Sequence, residues 1–102
     1  MTKAEEFFHK IADKLPNATK GKVFGAIGIK AMNGKTAAIF WKDEIIIKLN
    51  AEDQKEALTL FESRPGTHLY DPKRKMKNWI TLPFAHADKW EDLIKKSIFN
   101  LM

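Results

Sequence analysis

The sequence predicts an α+β domain, an antiparallel sheet with helices packed on one of its faces. Three observations lead there. Apolar residues recur at helical spacing near both ends of the chain, in "FFHKIADKL" and "WEDLIKKSIFNL". Between them, "KVFGAIGIKAMNGKTAAIFWKDEIIIKLN" is rich in Ile, Phe and Trp and is interrupted by turn residues. The 102 residues are 44% hydrophobic and 30% charged, which suits a single folded domain over 1–102 and argues against disorder.

Each element has its own signal. Thr2 and Glu5 make the T-x-x-E start of a helix, and Phe7, Phe8, Ile11, Ala12 and Leu15 form its apolar stripe. Pro16 ends it, because the residue before proline avoids helical geometry. Strands are expected near 23–32, 36–42 and 45–49, as a three-strand meander. Asn33-Gly34 predicts a type I′ turn, and Lys42-Asp43-Glu44 is a weaker turn signal. Asn50 predicts the cap of a second helix over 51–62, with Ala57, Leu58 and Phe61 facing inward and "SRPG" closing it. "THLYD" leads through Pro72 into a basic loop, and "NWITLP" predicts a further strand. The last helix is expected from about Asp88 to Leu101, burying Trp90, Leu93, Ile94, Ile98 and Leu101. The architecture is therefore a meander plus one or two more strands, with the terminal helices on one face.

Composition narrows the function. There is no cysteine, hence no disulfide framework and no thiolate metal site. The opening stretch is charged throughout, and no apolar run approaches the roughly 20 residues that span a bilayer. A cytoplasmic protein without membrane partners is the expectation. The net charge of +5 is unevenly spread. Residues 1–50 carry nine Lys against five acids, residues 51–72 two cations against five acids, and residues 73–102 seven cations against three acids.

No residue set predicts catalysis, a cofactor or a metal. The acid pairs Glu5-Glu6, Glu52-Asp53 and Glu91-Asp92 each fall where a helix starts, and there carboxylates complement the free N–H groups. His9, His68 and His86 lack metal-ligand spacing. Gly21, Gly25 and Gly28 precede strand-type residues rather than a helix, so they do not make a phosphate loop. Ser63 and Ser97 lack a nucleophile motif, and Ser97 reads as a small packing residue. The basic segment "DPKRKMKNW" remains. Lys73, Arg74, Lys75 and Lys77 are candidates for phosphate contacts, and Trp79 offers either a stacking surface or a core anchor.

The order of short motifs resembles the N-terminal domain of the TfoX/Sxy family, related to the MmcQ/YjbR group. The motifs are "VFGA" at 23–26, "NGKTAAIF" at 33–40, "IIIKLN" at 45–50, "SRPG" at 63–66 and "RKMKNWI" at 74–80. They span nearly the whole chain, and Arg74-x-Met76-x-x-Trp79 downstream of the RPG turn is the most specific. The matched positions are Phe24, Gly25, Gly34, Lys35, Lys48, Arg64, Pro65, Gly66, Arg74, Met76 and Trp79. Val23 and Ala26 depart from the family's "MFGG". The resemblance implies a non-enzymatic domain linked to DNA-associated regulation, including competence genes, with nucleic acid or a DNA-bound regulator as partner. The alternative is a protein-interaction or homodimerisation module, contacting through "IFNLM" or a sheet edge.

Overall fold

The computed structural model describes residues 2–23, 25–60, 63–68 and 71–101, and for 67, 68 and 71–76 the backbone alone. Helix α1 spans Lys3–Lys14. The Thr2 hydroxyl accepts the Glu5 amide at 3.2 Å, which satisfies one of the free donors of the first turn. Strands β1 (Ala18–Val23), β2 (Ala26–Ala31), β3 (Thr36–Trp41) and β4 (Glu44–Lys48) follow. Helix α2 (Ala51–Leu58) leads to strands β5 (Arg64–His68) and β6 (Asp71–Pro83). A 3₁₀ turn at Phe84–His86 then feeds helix α3 (Ala87–Leu101).

The fold is α+β, with six strands in the order β1-β2-β3-β4-β6-β5. Every neighbouring pair is antiparallel. Since β4 and β5 are each antiparallel to β6, they run parallel to one another. A crossover through α2 is what such a pair requires, and β6 fills the place left between them.

The meander has four strands rather than three. The expected strand at 23–32 is β2 alone, and β1 precedes it as "ATKGKV". An edge strand dominated by Thr and Lys has little apolar alternation, and such charges guard an edge against foreign strands. Gly25, at φ 82°, lies in the turn between the two. The two expected turns exchange types. Lys42 (φ 52°) and Asp43 (φ 62°) both adopt the left-handed conformation of a type I′ hairpin. At Asn33-Gly34 only Gly34 has a positive φ, 85°, which matches a type I turn with a bulge after it.

Helix α2 stops at Leu58, short of the expected 62, and Leu58 is exposed; Phe61 lies outside the described residues. The segment expected as a basic loop is strand. The backbone of Lys73, Arg74, Lys75 and Lys77 belongs to β6, with Lys75 opposite Thr67 of β5. Four cations in five residues look like a loop by composition, but the segment belongs to β6 and pairs with β5 through Lys75 and Thr67.

The main core lies between the sheet and the helices. Phe8, Ile11, Trp90 and Ile94 meet Ile29, Phe40, Ile45, Ile47, Ile80 and Leu82 there. The expected stripes of α1 and α3 are the observed ones, and Phe7 packs at the rim against Phe84 and Trp90. Ser97 is buried on α3 and donates to the Ala37 carbonyl at 3.2 Å. The β2–β3 register jumps from Ile29↔Ala38 to Lys30↔Thr36, which leaves Ala37 without a partner on β2. The serine therefore satisfies a bulge rather than merely filling space.

Candidate nucleic-acid interface on the sheet face opposite the helices

Strand alternation sends every second residue away from the helices. On that face Ala26, Ile39 and Ile46 form a second, smaller apolar cluster, joined by half-buried Val23, Trp41 and Trp79. The registers place the pieces. Ile39 stands opposite both Gly28 and Ile46, Ile46 opposite Thr81, Trp41 opposite Glu44, and Lys48 opposite Trp79.

Two glycines let this layer close. At Gly28 a Cβ would stand 2.6 Å from Val23 Cγ2, so Val23 leans over the space a side chain would fill. At Gly66 a Cβ would stand 2.7 Å from the Cβ of Trp79 and 3.0 Å from its carbonyl carbon. The RPG residues, expected as a turn that closes α2, instead lie in strand β5, and with the tryptophan, a separate motif in the sequence, they make one contact between β5 and β6. Arg64, two residues before Gly66, reaches across β6 to Glu44 with two hydrogen bonds, Nη1 to Oε2 at 2.9 Å and Nη2 to Oε1 at 2.5 Å. This fork-to-fork pairing ties edge strand β5 to β4.

Cations surround the cluster. Lys48 faces Trp79, and the Lys42 ammonium lies 5.8 Å from the Trp41 ring centroid. The stem of Lys30 runs over Gly21, where a Cβ would meet its Cε at 3.3 Å. Lys77 is exposed on β6. No carboxylate among the described residues lies within ion-pair distance of Lys30, Lys42, Lys48 or Lys77.

The helices differ. Lys14 and Lys95 approach Glu91 at 3.7 and 3.1 Å, and Lys96 approaches Glu56 at 3.7 Å. Taken by element, the three α-helices hold seven cations against nine carboxylates, and the rest of the chain eleven against four. The helical layer is therefore net −2 and the remainder net +7.

The other expected site residues fall as follows. Gly34 and Lys35 are exposed in the β2–β3 turn, where the Asn33 side chain accepts the Lys35 amide at 3.1 Å. Pro65 sits in edge strand β5, where a missing N–H is tolerated. Phe24, and the side chains of Lys73, Arg74, Lys75 and Met76, lie outside the described residues. Glu5-Glu6 and Glu52-Asp53 do occupy first turns, but Glu91-Asp92 sits a turn further into α3. The Lys95 ammonium, through a hydrogen bond and its charge, holds the Glu91 carboxyl below its usual range, with Lys14 adding to it. His9 lies 3.8 Å from Glu5 and 3.4 Å from Lys20, a surface arrangement. Among the described residues no three His, Asp or Glu side chains group to hold a metal. No described helix is long and apolar enough to cross a membrane.

Trp41, Lys30 and Lys42 were not among the residues the sequence singled out. Trp41 is in phase with Ile39, a signal that assigns it to a face without saying what stands beside it. Compared with protein-family models and with curated proteins, the chain matches none.

Proposed function

We propose that this is a non-enzymatic cytoplasmic domain that binds a nucleic acid through its sheet side, as an accessory or regulatory protein of the TfoX/Sxy N-terminal type. The observation that carries the reading is the charge segregation: the helices are net −2, while the rest of the chain is net +7. Such an excess draws a phosphate backbone, and each neutralised phosphate releases counterions. Lys73, Arg74, Lys75 and Lys77 add four cations to the sequence of β6, the strand that also carries Trp79.

The test is fluorescence anisotropy with labelled duplex and single-stranded DNA at about 50 and 200 mM salt. Binding that weakens steeply with salt, and a salt slope reduced by about two in Lys73→Ala plus Lys75→Ala, is the expected result. Absence of binding at the lower salt, or affinity unchanged by the double substitution, refutes it.

A second reading has its own observation. Phe99 is 78% exposed at the end of α3, and Met32 is 66% exposed in the β2–β3 turn. These ends are tied, since the Asn33 amide donates to the Leu101 carbonyl at 2.8 Å. Phe99 also borders a groove of about 250 Å³ with Leu15, Pro16 and Ile98. Exposed apolar side chains at one end favour contact with a protein, including a second copy. A solution mass near twice 11.7 kDa that falls to the monomer value in Phe99→Ser would establish it.

A further inference from the structure

We infer that Asn33 is a site of spontaneous deamidation, and that its conversion to aspartate or isoaspartate unfastens the end of α3 from the β2–β3 turn. The inference is independent of what the sheet binds. Asn33 is the one asparagine of the sequence that is followed by glycine. The fold keeps that pair together. Gly34 holds a φ of 85°, a left-handed conformation in which a side chain is strained. Asn33 braces the turn from both ends of its amide. Its Oδ1 accepts the Lys35 amide at 3.1 Å, and its Nδ2 donates to the Leu101 carbonyl at 2.8 Å. The asparagine that ties the helix is therefore also the one whose following nitrogen is least shielded.

In the reaction the Gly34 nitrogen attacks Asn33 Cγ, and a C–N bond forms. The Cγ–Nδ2 bond breaks, and ammonia leaves with the proton that the Gly34 nitrogen carried. Water then opens the resulting succinimide at either carbonyl, giving aspartate or isoaspartate, so water is the only co-reactant. The site has room for the ring, since a Cβ at Gly34 would meet nothing within 4 Å. Asn33, Gly34 and Lys35 are exposed at a hairpin tip. In the closed turn the Gly34 amide donates to the Ala31 carbonyl at 2.9 Å, so the reaction proceeds from the local openings that such tips undergo.

The consequence follows from the tie. The Leu101 carbonyl lies in the last turn of α3, where the helix itself supplies no donor, and Asn33 supplies one. An aspartate there has no hydrogen to donate, so two acceptors face each other. Its negative charge also stands at a helix C-terminus, where it is unfavourable. Isoaspartate further lengthens the main chain between Ala31 and Lys35, whose 2.8 Å bond closes the hairpin. Leu101 packs against the main core, so the freed turn takes a core contact with it.

The experiment incubates the whole folded protein in warm, mildly alkaline buffer and follows each asparagine by peptide mass mapping, with urea-unfolded protein as a control. Asn33 should convert in the folded protein, while Asn17, Asn50, Asn78 and Asn100 keep their amides. Asn33→Asp then isolates the consequence. Amide hydrogen exchange in the last turn of α3 should run about tenfold faster than in wild type, the loss expected for one hydrogen bond. Exchange in the first turn of α3 should be unchanged. An Asn33 that converts in urea but not in the folded protein overturns the site, because the turn then protects the amide. Conversion of all five asparagines at similar rates overturns it too, since neither the glycine nor the turn would then matter. Unchanged exchange at the end of α3 in Asn33→Asp overturns the claim that this amide fastens the helix.

Discussion

Replacing Gly66 by alanine adds a single methyl group, and the structure states what that methyl meets. Its nearest neighbours would be Trp79 Cβ at 2.7 Å and the carbonyl carbon and oxygen of Trp79 at 3.0 Å. None of these atoms can be moved by a change of rotamer, since Cβ is fixed to the backbone and the other two belong to it. The strand pair itself must yield, where Pro65 is opposite Ile80 and Ile80 is buried in the main core. Overpacking of this kind costs about 1–3 kcal/mol. For a domain near this size, each kcal/mol lowers the melting temperature by about 4–8 °C, so a fall of about 5–20 °C is expected. Thermal unfolding followed by far-UV circular dichroism measures it. Tryptophan emission of the native state should shift as well, because the displaced ring is one of three tryptophans in the chain. A melting temperature within about 2 °C of wild type, with unchanged emission, would refute the claim that the RPG residues of β5 and Trp79 are one packed unit.

Two further substitutions test how the helices are joined to the sheet and to each other. Ser97→Ala removes the donor to the Ala37 carbonyl at the β2–β3 bulge, and should cost about 1–2 kcal/mol in urea unfolding with an unchanged m-value. No loss would mean that the bulge carbonyl has another partner. Glu91 has its pKa lowered by Lys95 and Lys14, so its contribution to stability is present above the usual glutamate pKa and disappears as pH falls through the lower native value. In Glu91→Gln the difference from wild type should therefore be small, as for an exposed ion pair, and should vanish in acid and in high salt. A difference that grows on acidification would contradict the pairing.

The helices were legible in the sequence because their signals are local. Thr2 caps α1, Asn50 caps α2, and the stripe from Trp90 to Leu101 repeats every three to four residues. The sheet was less legible, because strand identity depends on partners distant in sequence. Strand β1 has almost no apolar alternation and exists through its register with β2, from Ala18↔Ala31 to Val23↔Ala26. Likewise, nothing local in "KRKMK" announces a strand, whereas β5 stands ready to pair with it. Turn type depended on strand twist as much as on residue preference, so Lys42-Asp43 took the positive φ angles that Asn33-Gly34 was expected to supply. Of the candidate site, Trp79 and the basic residues were visible in the sequence. Trp41 became a member only through the pairing of β3 with β4, and Lys48, a motif position in the sequence, found its place beside Trp79 through the pairing of β4 with β6.

The segregation of charge has a physical consequence that links stability to binding. A helix can neutralise itself, because residues four apart share a face, as Glu91 and Lys95 do. Helices packed side by side also exchange pairs, as Lys14 of α1 does with Glu91 of α3. A strand has no such recourse along its own length, and its charges must be matched by the next strand or by a helix packed on the sheet, as Lys20 of β1 is by Asp13 of α1. On the face opposite the helices Arg64 and Glu44 match one another, while Lys30 and Lys48 meet no carboxylate among the described residues. Mutual repulsion of these cations opposes the folded state wherever salt is too dilute to screen it. A partner that brings negative charge to this face removes the repulsion and, by binding only the folded form, adds its own stabilisation. A hydrophobic partner at Phe99 would add stabilisation by binding but relieves no repulsion, since the charges near that end, Lys95 and Lys96, already have Glu91 and Glu56 beside them. The two surfaces therefore differ in what occupation does to the protein, and the electrostatic difference favours the sheet as the place where an anion is received.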